Sequence, residues 1–123
     1  MQKLTVNSPW SDWCRMGKHG AGKKQDAVKE SMVNGKVRGF YSDFILNPER
    51  DPKDSMYPSI DHVNPRGSKL VVEARVINDM KSHLTETEFW RVIEHLYAVG
   101  LEKNKIKKRK PIRLPTFRPE NNY

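Results

Sequence analysis

Two short stretches carry residue types that can do chemistry together. The first, SIDHVNP (59–65), sets Asp61 beside His62. The second, INDMK (77–81), sets Asn78 one helical turn before Lys81. Cleaving a phosphodiester requires a hard cation held by oxygen ligands, a base that titrates near neutrality, and cationic groups that grip phosphate. Asp61 offers a carboxylate, His62 an imidazole and Asn78 an amide oxygen. Arg66, Lys69 and Lys81 offer the cations, with Arg75 one turn before Asn78. Read singly, each is an ordinary surface residue. A solvated helical position suits His83 better than a metal ligand's, and neither His19 nor His95 has a neighbour at metal-ligand spacing. Glu73 and Arg75 read as hairpin or surface contacts. The case rests on the combination.

These residues need elements to position them. Ser59–Val63 reads as a strand, NPRGSK as a turn and LVVEA (70–74) as a second strand, so the pair forms a β-hairpin. A helix follows from about Arg75, with Val76, Ile77, Met80 and Leu84 at helical spacing and facing the core. It puts Asn78 and Lys81 on one face. Thr85 and Glu88 make a capping box for a further helix. Phe89, Val92, Ile93, Leu96 and Tyr97 read as its core stripe, with Gly100 as its stop. Asp61 and His62 are strand neighbours and point to opposite faces of a regular strand. They share one site only if the strand twists or bulges there.

The order of these pieces resembles the HNH nuclease family, the ββα-metal fold. An Asp-His pair opens the family signature on the first strand of a hairpin, and an Asn on the following helix, often as N-x-x-K, closes it. SIDHVNP and INDMKSHLTETEF match those two halves, over roughly residues 57–90. The resemblance implies Asp61 and Asn78 as ligands of one divalent ion, Mg²⁺ first and Mn²⁺ second, and His62 as the general base. The interval from His62 to Asn78 is sixteen residues, which requires a tight hairpin turn. Lys69 or Leu70 stands where many members carry a bracing Asn, and Asn64 is the candidate to brace the loop instead.

The rest of the chain is less explicit. Residues 1–26 are polar and glycine-rich, with Trp10 and Trp13 as isolated anchors. AVKESMV (27–33) allows a short helix, Asn34-Gly35 signals a turn, and GFYSDFIL (39–46) reads as a strand. NPERDPKDSMYP (47–58) reads as a loop. GKHGAGKK (17–24) nearly matches a phosphate-binding loop, but Lys24 stands where the magnesium-binding hydroxyl belongs, and no apolar strand precedes it. A flexible basic loop is the simpler reading. The division expected is an N-terminal extension (1–56), either separate or part of the same domain, an α+β HNH-like core with its following helix (57–100), and a basic, proline-containing tail (101–123).

The 123 residues suit one domain of modest core, at 36% hydrophobic and 31% charged. A net charge of +8 and a pI near 9.7 favour an anionic partner, nucleic acid before membrane. No apolar run reaches membrane-spanning length and no signal-peptide core opens the chain, so a cytoplasmic protein with no membrane partner is expected. Cys14 is the only cysteine, which excludes an internal disulfide and a structural zinc ribbon. It reads as an apolar filler or a free thiol. Six basic residues crowd positions 103–110, among them Lys107, Lys108, Arg109 and Lys110. Such a run raises affinity for nucleic acid by counterion release without reading sequence.

The expected function is therefore metal-dependent endonuclease action on DNA. The alternative is an HNH-like module, weak or inactive in catalysis, acting as a DNA- or protein-binding accessory or inhibitor factor of phage type. An RNA-binding role ranks last, because no strand shows an aromatic pattern for base stacking.

Overall fold

A computed structural model describes residues 8–16 and 20–108. Within them the chain is α+β. Helix α1 spans Ser8–Cys14 and α2 spans Ala21–Glu30. Strands β1 (Met32–Val33) and β2 (Lys36–Val37) form a minimal hairpin. Asn34 and Gly35 both adopt positive φ at its tip, the conformation that a two-residue turn demands. Strands β3 (Pro58–His62) and β4 (Leu70–Ala74) form the second antiparallel hairpin, followed by α3 (Arg75–Lys81) and α4 (Glu86–Glu102).

The second hairpin and α3 match the sequence expectation closely. β4 runs directly into α3, so the new helix has no side-chain cap at Ala74. Loop carbonyls replace it: Arg75 N–H donates to Tyr57 O at 2.9 Å and Val76 N–H to Ser55 O at 2.8 Å. The Arg75 guanidinium holds the same loop, donating to Pro52 O at 2.7 Å and Lys53 O at 2.5 Å. The loop over 47–57 is thereby ordered by the helix it caps.

Each face of the β3–β4 hairpin meets its own cluster. Val72 and Ala74, with Ile60 packed on them, join Trp10, Trp13, Cys14 and Val28 from the N-terminal helices. Val71 joins Tyr41, Val63 and Phe89 on the other side. The tryptophans read as isolated anchors in sequence thus belong to a core cluster shared with β4. Cys14 fills space in it, and burial pushes its thiol up from the usual range.

Several expectations need correction, among them Met80, which is half exposed rather than core-facing. Residues 39–46 make no strand, only a single bridge between Arg38 and Ile45. The buried Glu73 carboxylate captures the backbone N–H groups of Tyr41 and Ser42, which a strand would have used in a ladder. Residues 21–24 are helical rather than a flexible loop. Lys24 is buried, its ammonium at the Met16 carbonyl and 5.0 Å from the centre of the Trp13 ring. The apolar stripe of α4 is only half core: Phe89 is buried and Ile93 partly so, but Val92, Leu96 and Tyr97 are 41–51% exposed. A 17-residue helix is about 25 Å long against about 17 Å for a five-residue strand, so α4 outruns the hairpin it packs on. The capping box at Thr85 and Glu88 forms as expected. Gly100 lies inside α4, where Ile106 packs so close that a Cβ would sit 2.5 Å from its Cδ1.

Candidate functional site

Strand pairing decides which side chains can meet. β3 and β4 pair without a bulge from Pro58↔Ala74 to His62↔Leu70, and Val63 N–H donates to Lys69 O at 3.1 Å in the same register. Ser59, Asp61, Val71 and Glu73 therefore share one face, and Ile60, His62, Leu70 and Val72 the other. Asp61 and His62 leave the strand in opposite directions. The hairpin turn is tight, as the short interval required: Gly67 N–H donates to Asn64 O at 2.8 Å. Asn64 Oδ1 also accepts from Glu86 N at 3.4 Å, tying the turn to the start of α4.

The Asp61 face carries a connected polar network. Lys81, fully buried, places its ammonium 3.1 Å from Asp61 Oδ2 and donates to His62 O at 3.0 Å. Tyr41 donates its hydroxyl to the same Asp61 oxygen at 2.9 Å. Burial and that hydrogen bond push the Tyr41 hydroxyl far above its ordinary range, so it remains a donor at any physiological pH. The Lys81 ammonium also lies 5.8 Å from the Tyr41 ring centre. Lys81 was expected among the phosphate contacts. With no exposed surface it cannot reach a phosphate in this arrangement, and it instead neutralises Asp61 and fixes the end of β3.

Asn78 stands one turn before Lys81 on the same side of α3. Its Nδ2 donates to Ser59 Oγ, whose own proton goes to Glu73 O at 3.1 Å. Because the Ser59 proton is committed, only the amide nitrogen can face that hydroxyl. Asn78 Oδ1 is consequently turned away, buried and without a hydrogen-bond partner. A buried, unpaired amide oxygen costs about 1–3 kcal/mol. The oxygen is a ligand type suited to a hard cation, and the Asp61 carboxylate stands on the strand face that α3 covers. By donor chemistry these two residues fit a Mg²⁺ ion, which commonly takes one or two protein oxygens and completes its shell with water and substrate phosphate. Among the described residues, no group of three or more His, Cys, Asp or Glu side chains converges as a metal cage would require.

Glu73 reads in sequence as a hairpin or surface contact and Tyr41 does not stand out at all, yet the structure buries both at the site. Glu73 is fully buried, and its carboxylate accepts from Tyr41 N (2.7 Å), Ser42 N (2.9 Å), Ser42 Oγ (2.7 Å) and Ala74 N (2.8 Å). Burial raises its carboxyl above the ordinary value, and the four donors oppose that shift without cancelling it. Gly39 allows this packing, since a Cβ there would lie 2.0 Å from Glu73 Oε2. Glu73 thus holds the loop that delivers Tyr41 to Asp61. The signal available in sequence was a lone acid in an otherwise apolar strand, LVVEA.

The remaining candidates lie at the surface or beyond. Arg66 and Lys69 are exposed in and beside the turn, and Lys107 and Lys108 are exposed after α4. Arg109, Lys110 and His19 lie outside the described residues. His83 and His95 are exposed. No described helix is long and apolar enough to cross a membrane. No family model, curated protein or solved structure matches the chain.

Proposed function

We propose that the chain is a metal-dependent, HNH-like endonuclease acting on DNA, with the Asp61 face of the β3–β4–α3 unit as its centre. The observation that carries this reading is the buried, unpartnered Asn78 Oδ1 on the helix covering the Asp61 face. Asp61 and Asn78 would hold one divalent ion, which supplies charge stabilisation for the phosphate and the departing 3′ oxygen. Tyr41 and Lys81 hold the Asp61 carboxylate in place. Lys81 also grips the His62 carbonyl and so fixes the backbone from which the imidazole projects. His62 would take a proton from the attacking water, and because it leaves β3 on the face opposite Asp61, that role requires the imidazole to come round the end of the strand. Arg66 and Lys69 bring cations to the mouth of the hairpin, where they contact phosphate.

A second reading has its own observation behind it. Lys81 already neutralises Asp61, and the regular register sends His62 to the other face of the strand. A module that grips DNA or a protein without cutting would have the same fold and charge. Nicking of supercoiled plasmid with Mg²⁺ or Mn²⁺ separates the two. The nuclease reading expects nicking by the native chain and a loss of roughly 10²-fold or more in His62→Ala. Equal activity in both proteins, or none in either, overturns it.

A further inference from the structure

Three aromatic rings gather around the ring of Tyr41, whose hydroxyl touches Asp61. Phe40 and Tyr41 meet edge-on with centroids 4.9 Å apart. Tyr41 meets Phe89 at 5.4 Å and Trp90 at 6.3 Å, again edge-on. Tyr41 and Phe89 are buried, yet Phe40 is 40% and Trp90 42% exposed. The cluster therefore ends in two large exposed rings, one on either side of Tyr41 in the chain of contacts.

The backbone that carries each ring is anchored. The Phe40 backbone donates to Val72 O at 3.0 Å, and the adjoining Tyr41 N–H is fixed by Glu73. Trp90 sits in the first turns of a well-capped helix, its indole N–H 3.5 Å from Glu86 Oε2. A rigid ring loses little conformational entropy when another ring stacks on it. The charge nearby is mixed but has a cation at the ring itself: the Lys69 ammonium lies 5.4 Å from the Phe40 centroid. Two part-exposed rings, one with a lysine over it, on a chain of net charge +8, match a polyanion with free aromatic faces. Bases inside a duplex are stacked on one another and offer none.

We infer that Phe40 and Trp90 form a stacking platform for unpaired bases of a DNA strand, so that the site engages single-stranded or locally opened DNA in preference to intact duplex. The inference rests on the nuclease reading for its location, but its test does not depend on cleavage.

The test is fluorescence anisotropy with the full chain in EDTA, using a labelled single strand of about 12 nucleotides and the duplex of the same sequence. The single strand should bind at least about fivefold more tightly than the duplex. Phe40→Leu and Trp90→Leu should each weaken single-strand binding about tenfold and leave duplex binding within about twofold. Should either variant fold poorly, the native chain gives the same answer: a strand of matching length made of abasic sites should bind about as weakly as the variants bind normal DNA. Undiminished binding of the abasic strand, or variants that bind like the native chain, overturns the platform. Such a result alongside normal plasmid nicking removes the platform and leaves the nuclease reading standing. Base-dependent binding without nicking does the reverse.

Discussion

One face of the β3–β4 hairpin is buried by apolar packing, the other by a polar network beside a smaller apolar cluster. On one, Ile60, Val72 and Ala74 meet Trp10, Trp13 and Val28. On the other, Glu73 and Lys81 are fully buried in a network with Ser59, Asp61 and Tyr41. The apolar face needs matching volumes. The polar face needs every donor matched to an acceptor, because a buried polar atom left unpaired is costly. A buried ion pair is often no more stabilising than apolar side chains of equal volume. The apolar face thus accounts for stability, and the polar face for position: it fixes Asp61, Tyr41 and the carbonyl of His62 relative to α3.

The sharpest way to break that contrast is to remove one charge. Lys81→Met should cost about 3–5 kcal/mol, because it leaves Asp61 uncompensated while roughly preserving volume. On the apolar face, Val72→Ala should cost about 2 kcal/mol from lost methyl groups and a small cavity. The double variant Lys81→Met with Asp61→Asn should recover most of the loss, since neither charge remains. Urea unfolding of the four proteins checks this. Failure of the double variant to recover would mean that Lys81 stabilises by packing, and the contrast between faces would collapse.

A smaller effect is expected at Glu73. Glu73→Gln keeps its shape but points amide hydrogens towards the Ala74 N–H, at a cost of about 1–3 kcal/mol. It also removes a titration. Because burial raises the Glu73 carboxyl above its ordinary 4.5, the folded state holds that proton more tightly than the unfolded chain. The contribution of this group to stability therefore rises as pH falls from neutrality towards the ordinary carboxylate range, and falls as pH rises again. Unfolding at about pH 7 and about pH 5 should show the native chain gaining on Glu73→Gln with acidification. A constant difference between the two proteins would place Glu73 outside that account.

Much of this arrangement was legible in the sequence, but only where a local rule governs. Short strand-forming runs on either side of the NPRGSK turn marked β3 and β4, helical spacing marked α3, and Thr85 with Glu88 marked the start of α4. Asn78 and Lys81 on one helical side followed from spacing alone. The polar face was not legible as a unit, because its members are distant in sequence: Tyr41, Asp61, Glu73 and Lys81 come from a loop, two strands and a helix. Lys81 reads as a phosphate contact because nothing nearby in sequence reveals that it will be buried against Asp61. The strand reading of 39–46 failed for the same reason, since a carboxylate 31 residues on takes Ser42's backbone hydrogen bond. Val92, Leu96 and Tyr97 were read as core because periodicity reports a face, not how far the neighbouring layer extends.

The proposed function requires Asp61 and Asn78 to hold one divalent ion. Calorimetric titration of Mn²⁺ into the native chain and Asn78→Ala, each shown to be folded by thermal unfolding, addresses it most directly. The account predicts one Mn²⁺ bound by the native chain and a loss of about tenfold or more in affinity when the Asn78 amide oxygen is removed. Equal Mn²⁺ affinity in the two proteins, or no binding by the native chain, would contradict it.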